Sequence, residues 1–354
     1  MEYGAIDLHK KESQVRIVTE NGEIVDRRIA TTRDRFSAVF GGRARMRILV
    51  EASTESEWVA QHLEELGHEV IVADPNYAPM YGQRSRRVKT DRRDVAALTE
   101  ACRLEIYRPA HRRSAAQTVM QWHLGVRDQI VRTRTRSITL MRTAARMEGV
   151  HVRTGAAETF LLRLDQAALT PAVQDAIAPL HDVLEMLNTQ LEGADRYLAD
   201  FAKADSTARR LMTLPGIGPI TALAFAAALD DVTRFRGPGQ VTSYLGLVPR
   251  EYSSGEQQRR GAVMRAAHPR VQGLLVQAAW RVWRSTNPQT RALREWARAV
   301  ARRRGTFVAV VALARRLARL LFAMWRDETD FDPSRIRATH ATKAAVATPV
   351  GATA

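Results

Sequence analysis

The chain begins with three short runs of apolar or alternating residues, which predict strands at 3–8, 14–19 and 23–31. Asn21 and Gly22 stand between the second and third runs, and this pair favours a tight two-residue hairpin because both residues tolerate a positive φ. The pattern therefore predicts a three-strand antiparallel meander.

Helix-like and strand-like patterns then alternate. Apolar positions at helical spacing predict helices at 33–40 and 55–66, and apolar runs predict strands at 46–51 and 69–73. A meander followed by alternating helices and strands is the element order of a ribonuclease H-like domain. We therefore expect an α/β domain over residues 1–110.

The rest of the chain has the periodicity of helices. Residues 111–204 carry long arginine-rich helical segments, which favour a bundle or a coiled-coil connector. Residues 205–328 are predicted as a second helical region, and 329–354 as a disordered tail of low complexity. The turn at 215–219 resembles a helix-hairpin-helix, whose backbone amides can bind a DNA phosphate. A plain helix connector is the alternative.

Charge narrows the class of partner. The 54 Lys and Arg residues outnumber the 38 Asp and Glu residues, and the net charge of +16 comes mainly from arginine. This excess indicates a polyanionic partner, nucleic acid first and an anionic membrane second. The longest apolar stretches, about ten residues, are too short to cross a membrane. No leader segment is evident, so we expect an intracellular, cytoplasmic protein.

The single cysteine, Cys102, excludes an internal disulfide and a thiolate zinc cluster. We expect it to be a small core residue on a helix.

Four carboxylates are the candidate chemical groups of the first domain. Asp7 lies within an apolar strand, where burial of its charge requires a partner or a metal ion. Glu51 ends another strand, at the edge where α/β sheets bind ligands. Asp91 and Asp94, three residues apart, share one face of a helix. Together they could hold two Mg²⁺ ions for phosphoryl transfer.

Simpler explanations exist for each carboxylate. Asp91 suits a helix N-terminus, Glu51 could cap a turn, and Asp94 could pair with an arginine. Asp7 is the hardest to explain without a metal. Basic residues that should attract phosphate precede the last helix of this domain: Arg84, Arg86, Arg87, Lys89, Arg92 and Arg93.

A second candidate group surrounds Ser254 in the segment PREYSSGEQQRRGAVMR. A serine hydroxyl attacks phosphate only if its proton is removed and cations match the developing charge. His268 is a weak candidate base, and a Ser-Ser-Gly turn without chemistry is the alternative. The cations expected to contact nucleic acid here are Arg250, Arg259, Arg260 and Arg265.

The sequence resembles the DEDD transposases of bacterial insertion sequences, and more narrowly the IS-one-ten type, the bridge-RNA-guided recombinases. The likeness covers residues 3–325. Five segments carry it in the family order: GAIDLHKKE, LVEAS, HEVIVADPNYAPMYGQRSRRVKTDRRDVAAL, LPGIGPITA and YLGLVPREYSSGEQQRRG.

This resemblance implies a RuvC-like N-terminal domain, a helical coiled-coil connector and a helical C-terminal transposase domain. It assigns the nucleophile to Ser254, while Ser253 occupies a position where other members carry a different residue. A structured guide RNA pairs with target and donor DNA in the family, so base pairing reads the sequence. The resemblance assigns Mg²⁺ binding to the four carboxylates Asp7, Glu51, Asp91 and Asp94.

The leading hypothesis is a DNA transposase or recombinase that works as a homo-oligomer, either a dimer or a tetramer, with Ser254 attacking a backbone phosphate. Serine chemistry conserves the bond energy, and the sequence contains no GxxxxGK[ST] motif for ATP. Two alternatives stay open: a hydrolytic Holliday-junction-type nuclease that uses the carboxylates alone, and a non-enzymatic nucleic-acid-binding protein.

Overall fold

The chain folds into two compact units, Met1–Arg113 and Ser114–Ala354. The division between the two units lies at residues 113 and 114. The computed structural model describes residues 1–82, 91–254, 257–263 and 268–336, with the backbone only for 250–254 and 257–263.

The first unit is built on a five-stranded sheet of order β3-β2-β1-β4-β5. The first three strands form the predicted antiparallel meander, and β4 and β5 run parallel to the central strand β1. Gly22, at φ +81°, provides the turn between β2 and β3. The strands are β1 (Tyr3–Leu8), β2 (Glu12–Val18), β3 (Ile24–Ala30), β4 (Arg47–Glu51) and β5 (Glu69–Ala73).

Helices cover both faces of this sheet. They are α1 (Arg33–Phe40), α2 (Ser56–Glu65) and α3 (Asp91–Arg103). Side chains alternate between the faces because the strand period is two. Ile6 and Val50 pack with the residues of α1 and α2, whereas Ala5 and Leu49 pack with those of α3. Cys102 is fully buried on α3, as predicted.

The second unit is mostly helical, which confirms an α/β region followed by a helical remainder. Its elements are α4 (Ala115–Met147), α5 (Phe160–Asp165), α6 (Pro171–Ala204), α7 (Ser206–Met212), α8 (Pro219–Leu229), α9 (Pro238–Tyr244), β6 (Pro249–Ser254), β7 (Gln257–Val263), α10 (Pro269–Arg284), α11 (Arg291–Arg304) and α12 (Thr306–Arg326).

The long helices α4 and α6 pack against each other in opposite directions. Arg127 of α4 forms an ion pair with Asp195 of α6, and Arg134 donates a hydrogen bond to Asn188. The later residue of α4 thus contacts the earlier residue of α6, so the two helices are antiparallel. Leu124 of α4 and Leu198 of α6 belong to the same core cluster as α8 and α12. The predicted connector and the predicted C-terminal domain therefore share one core.

A second core lies at the far ends of the same two helices. Ile138 and Met141 of α4 pack there with Phe160 and Leu164 of α5 and with Leu184 of α6. The short helix α5 thus closes the end of the pair, and the long helices connect two apolar clusters.

Two regions differ from the sequence-based expectation. The C-terminal region, expected to be helical, contains the hairpin β6-β7, whose polar sequence lacks the apolar alternation that predicts strands. The tail, expected to be disordered from residue 329, is ordered through Ile336. Ile336 is 7% exposed in the main core, and the Phe331 N–H donates to Thr213 Oγ1 at 2.9 Å. Residues 337–354 lie outside the described residues.

No helix in the described ranges combines the length and the apolar character required to cross a membrane.

Candidate active site

The strand register brings Asp7 and Glu51 to one edge of the sheet. Strands β1 and β4 are adjacent and parallel, and Ile6 pairs with Val50. The next residue on each strand is therefore one of these two carboxylates, at the carboxyl end where such sheets bind ligands. Both lie on the α3 face, because side chains two residues earlier, Ala5 and Leu49, pack with α3.

The first turn of α3 adds two more carboxylates. Val95, Leu98 and Cys102 are buried against the sheet. Asp91 and Asp94 extend this stripe at steps of three and four residues, which keeps them on the same face of the helix. Asp94 is buried and Asp91 is exposed. Both also lie at the positive end of the helix dipole.

The pKa of Asp7 is shifted by burial and by the charges of the other residues of this group. Burial raises the pKa of its carboxyl above the ordinary value, and the negative charges of Asp91, Asp94 and Glu51 raise it further. His9 opposes these effects. Four carboxylates at one edge thus produce a strongly negative potential that a bound cation would relieve.

His9, which is not among the residues predicted from the sequence, lies close to two of these carboxylates. Its Nε2 atom lies 3.5 Å from Asp7 Oδ2 and 3.8 Å from Asp91 Oδ1. Residues 7 and 9 point to the same side of an extended chain, so the spacing Asp-x-His was a usable signal.

The donor set fits a divalent metal ion. One ligand atom from each of Asp7, His9 and Asp91 lies within 4.8 Å of the others, which is compatible with one ion at roughly 2 Å from each atom. Carboxylate oxygens suit Mg²⁺ or Mn²⁺, and an imidazole nitrogen favours a transition metal. The structure therefore contains an acidic group able to bind a divalent cation.

Tyr81 holds the carboxylate of Glu51. It ends a short 3₁₀ helix, Ala78–Tyr81, and its hydroxyl donates a hydrogen bond to Glu51 Oε1 at 2.7 Å. The Tyr81 ring packs against the core that contains Met80. The contact joins residues thirty positions apart, and no local sequence pattern predicts it.

Arg92 ties the start of α3 to the meander. Its Nε atom donates to Asp26 Oδ2 at 3.0 Å, and Arg16 donates to both oxygens of Asp26 at 2.6 and 2.7 Å. These bonds, from Arg16 first, hold the pKa of the Asp26 carboxyl below its ordinary value. Arg92, predicted as part of a phosphate-attracting rim, is thus partly neutralised.

Ser254 belongs to the second compact unit, whereas the carboxylates belong to the first. Its backbone ends β6 and pairs with Gln257 of β7, directly before the two residues that join these strands. His268 precedes α10 and packs on Tyr244, with ring centroids 4.6 Å apart.

The other predicted nucleic-acid contacts are described incompletely. Arg250, Arg259 and Arg260 have a described backbone in the β6-β7 hairpin, without side chains. The remaining predicted contacts lie outside the described residues: Arg84, Arg86, Arg87, Lys89 and Arg265.

Two family models match parts of this chain. Residues 5–146 match the family model of DEDD transposases of the IS110 type, described as "Transposase". Residues 208–295 match the model described as "Transposase IS116/IS110/IS902 family". The first match contains the four carboxylates and the second contains Ser254.

Similar proteins extend the likeness over nearly the whole chain. A probable family 20 transposase of Pseudomonas aeruginosa is 32% identical over 337 residues, which cover 93% of this chain and 98% of that protein. The transposase for insertion sequence element IS1111A of Coxiella burnetii is 26% identical, covering 92% and 90%. The transposase for insertion sequence element IS1328 of Yersinia enterocolitica is 28% identical, covering 80% and 85%. The chain therefore belongs to the IS116/IS110/IS902 family of insertion-sequence transposases.

Proposed function

We propose that this transposase cleaves and rejoins DNA through a covalent link to Ser254, with Mg²⁺ bound by Asp7, Glu51, Asp91 and Asp94 in a RuvC-like domain. The observation that carries the proposal is the convergence of these carboxylates at one sheet edge around a buried Asp7. A buried carboxylate surrounded by three others is costly unless a cation binds there.

The proposed reaction needs no ATP, because the covalent link between serine and DNA retains the energy of the broken phosphodiester bond. The Ser254 hydroxyl loses its proton as its oxygen bonds to phosphorus, and the P–O bond to the leaving strand breaks. The leaving oxygen gains a proton, and the phosphoester energy is retained in the serine link. The hydroxyl of another strand then reverses the attack. Bound Mg²⁺ would polarise the phosphate and stabilise the leaving oxygen.

Substitution of Ser254 tests the covalent step. Ser254→Ala should abolish both protein-linked DNA and strand exchange, detected as a shifted band on denaturing gels and by sequencing of the products. Ser253→Ala is the matched control and should retain both. Protein-linked DNA and full recombination by Ser254→Ala would refute the proposal.

A hydrolytic nuclease is the second candidate. The observation that favours it is that all four carboxylates lie in the first unit, whereas Ser254 lies in the second. It predicts cleavage by Ser254→Ala at the rate of the unsubstituted protein, with no protein attached to the DNA ends. The same gel therefore separates the two mechanisms.

Guidance by RNA is the second part of the proposal. The net charge of +16 supports a polyanionic partner, and the family resemblance supports a structured guide RNA. Sequencing of RNA that copurifies with the protein tests this directly. One enriched structured RNA is expected, and random fragments of cellular RNA would contradict guidance.

We also propose a homo-oligomer that forms through α4 and α6. An exposed apolar stripe follows these helices, with Trp122 at 68% and Val126 at 61% exposure on α4, and Tyr197 and Phe201 on α6. Apolar stripes of this kind mark protein interfaces. Two duplexes need at least two active sites, which makes a second copy the natural partner.

Light scattering tests the oligomer. Trp122→Ser should lower the mass at micromolar concentration, whereas Leu162→Ser, which removes an exposed apolar residue of α5, should not. Equal masses for the two variants and the unsubstituted protein would exclude this interface.

A further inference from the structure

A cavity of about 670 Å³ lies between α9, α11 and α12 of the second unit, and we call it the basic cavity. Arg315, Arg316 and Arg319 of α12 line it together with Trp296 of α11. The rest of its wall is apolar, including Leu320. None of the described residues that line it is acidic, so positive charge dominates the interior.

The three arginines contribute in different ways. The Arg316 guanidinium stacks over Trp296 at 4.7 Å from the ring centroid, which fixes its orientation. Burial lowers the pKa of Arg316, and the charge of Arg319 lowers it further, so these positive groups repel one another. Within the described part of the chain, the buried Nε of Arg315 has no hydrogen-bond partner.

Acidic residues are scarce on the two helices α11 and α12. Residues 291–326 contain ten arginines and one acidic residue, Glu295. Glu295 forms an ion pair with Arg291 at 2.7 Å. A buried, unpaired donor and crowded cations are costly without an anion.

We propose that the basic cavity binds the phosphodiester backbone of a nucleic-acid strand. Arg315 and Arg319 are one helical turn apart and face the same side of α12, so they can donate charge-assisted hydrogen bonds to neighbouring phosphates. The volume lies within the range of about 300–1,000 Å³ typical of ligand sites and accommodates a phosphate with its sugar. The inference rests on nucleic acid as the substrate of the proposed function, and it is independent of the carboxylate chemistry.

Salt-dependent binding of a labelled single-stranded DNA and of an RNA of the same sequence tests the site. The double variant Arg315→Gln/Arg319→Gln removes two cations from the cavity. Loss of two phosphate contacts to a single strand should reduce the slope of log K against log salt by about 1.4, which corresponds to a loss of affinity of about 25-fold at 0.1 M salt relative to 1 M.

The matched control is Arg302→Gln/Arg303→Gln, which removes the same charge from exposed positions of α11 outside the cavity. This variant should keep the original slope. Equal slopes for both double variants and the unsubstituted protein would overturn the proposal. Saturable binding of inorganic phosphate at the cavity, together with unchanged affinity of the cavity variant for both oligonucleotides, would also overturn it in favour of a free-phosphate site.

Ultraviolet cross-linking of the unsubstituted protein provides a test that does not depend on folding of a variant. Peptides containing Trp296 or Arg315 should carry cross-linked nucleotides, and their absence among cross-linked peptides would contradict the site. Binding and cross-linking are measured in EDTA, where no metal-dependent cleavage takes place. Failure of the catalytic proposal can therefore be distinguished from failure of this one.

Discussion

At the scale of single residues, the buried carboxylate of Asp7 lowers the stability of the folded protein when it is ionised. The carboxylate is buried at the end of a central strand, beside His9 and below the first turn of α3. Its side chain needs a counter-charge that His9 provides only in part. A bound cation would offset this cost to the stability of the folded protein.

Replacement of Asp7 tests this balance. Because the folded-state pKa of Asp7 is raised above its ordinary value of 3.8, its contribution to stability is present below that pH and is lost as the pH rises through the folded value. In EDTA, Asp7→Asn should therefore have a higher Tm than the unsubstituted protein at pH 8, with a smaller difference at pH 4.5. Thermal unfolding at both values measures this.

The control for this experiment is Asp34→Asn, an exposed residue of α1, which should have no effect on Tm. Added Mg²⁺ should stabilise the unsubstituted protein and Asp34→Asn, but not Asp7→Asn. Strand cleavage by Asp7→Asn should fall by about 10³-fold, since a metal supplies several kcal/mol to the reaction. Lower stability of Asp7→Asn at pH 8 would contradict the electrostatic account.

Tyr81 should act as a positioning residue through Glu51. Tyr81→Phe removes the 2.7 Å hydrogen bond and keeps the ring in the core. Partners of this type typically change metal affinity by about 10- to 100-fold when removed. We expect Mn²⁺ affinity, measured by electron paramagnetic resonance, to fall by at least about tenfold. Tyr77→Phe, on the same core cluster, should leave it unchanged, and equal affinities for both variants would exclude the role.

At the scale of elements, α3 combines packing with the placement of charge. On one face of this helix, the residues of the first turn are acidic, and the residues that follow are apolar and pack on the sheet. The same helix therefore contributes to the core and to the site.

The turn between α7 and α8 requires a glycine, because Gly216 has a φ of +102°.

Substitution in this turn has an expected cost. A Cβ atom at Gly216 would lie 2.8 Å from Val282 Cγ2, in a backbone conformation that side chains rarely adopt. Gly216→Ala should destabilise the second unit by about 1–3 kcal/mol and lower Tm in thermal unfolding. Gly218→Ala is the matched control, since its nearest neighbour, Arg281, would be 3.8 Å away. Equal Tm values for the two variants would show that the turn can relax.

At the scale of the whole molecule, the division into two compact units separates the carboxylates from Ser254 along the chain. The first unit contains its own two core clusters and all four carboxylates. The second unit contains the long helices, the basic cavity and the hairpin with Ser254. Metal binding and DNA attachment can therefore be tested separately.

A fragment of residues 1–113 should fold and bind metal alone. Its Mn²⁺ affinity should equal that of the full chain, because the acidic group and its supporting residues lie within this unit. Calorimetric titration of both proteins measures this, with the Asp7→Asn fragment as a control for adventitious sites. A folded fragment without metal affinity would mean that the second unit supplies a ligand.

Local sequence patterns predict the elements of the first unit and the chemical types of the residues in the candidate site. The strand at Tyr3–Leu8 and the helix at Arg33–Phe40 agree with their predicted bounds, because local periodicity reports which face of an element is buried. The α3 stripe likewise follows from the spacing of its residues. The excess of arginine is a property of composition and does not depend on the fold.

Contacts between residues far apart in the chain depend on how the elements pack. Three contacts join residues that are distant in sequence: His9 lies near Asp91, Tyr81 donates a hydrogen bond to Glu51, and Ile336 packs in the main core. No local pattern encodes such contacts. The basic cavity likewise exists only because α11 and α12 pack together. From the sequence alone, its arginines look the same as arginines on any solvent-exposed face of a helix. Periodicity specifies the buried side of each element, whereas the choice of neighbour depends on packing of the whole unit.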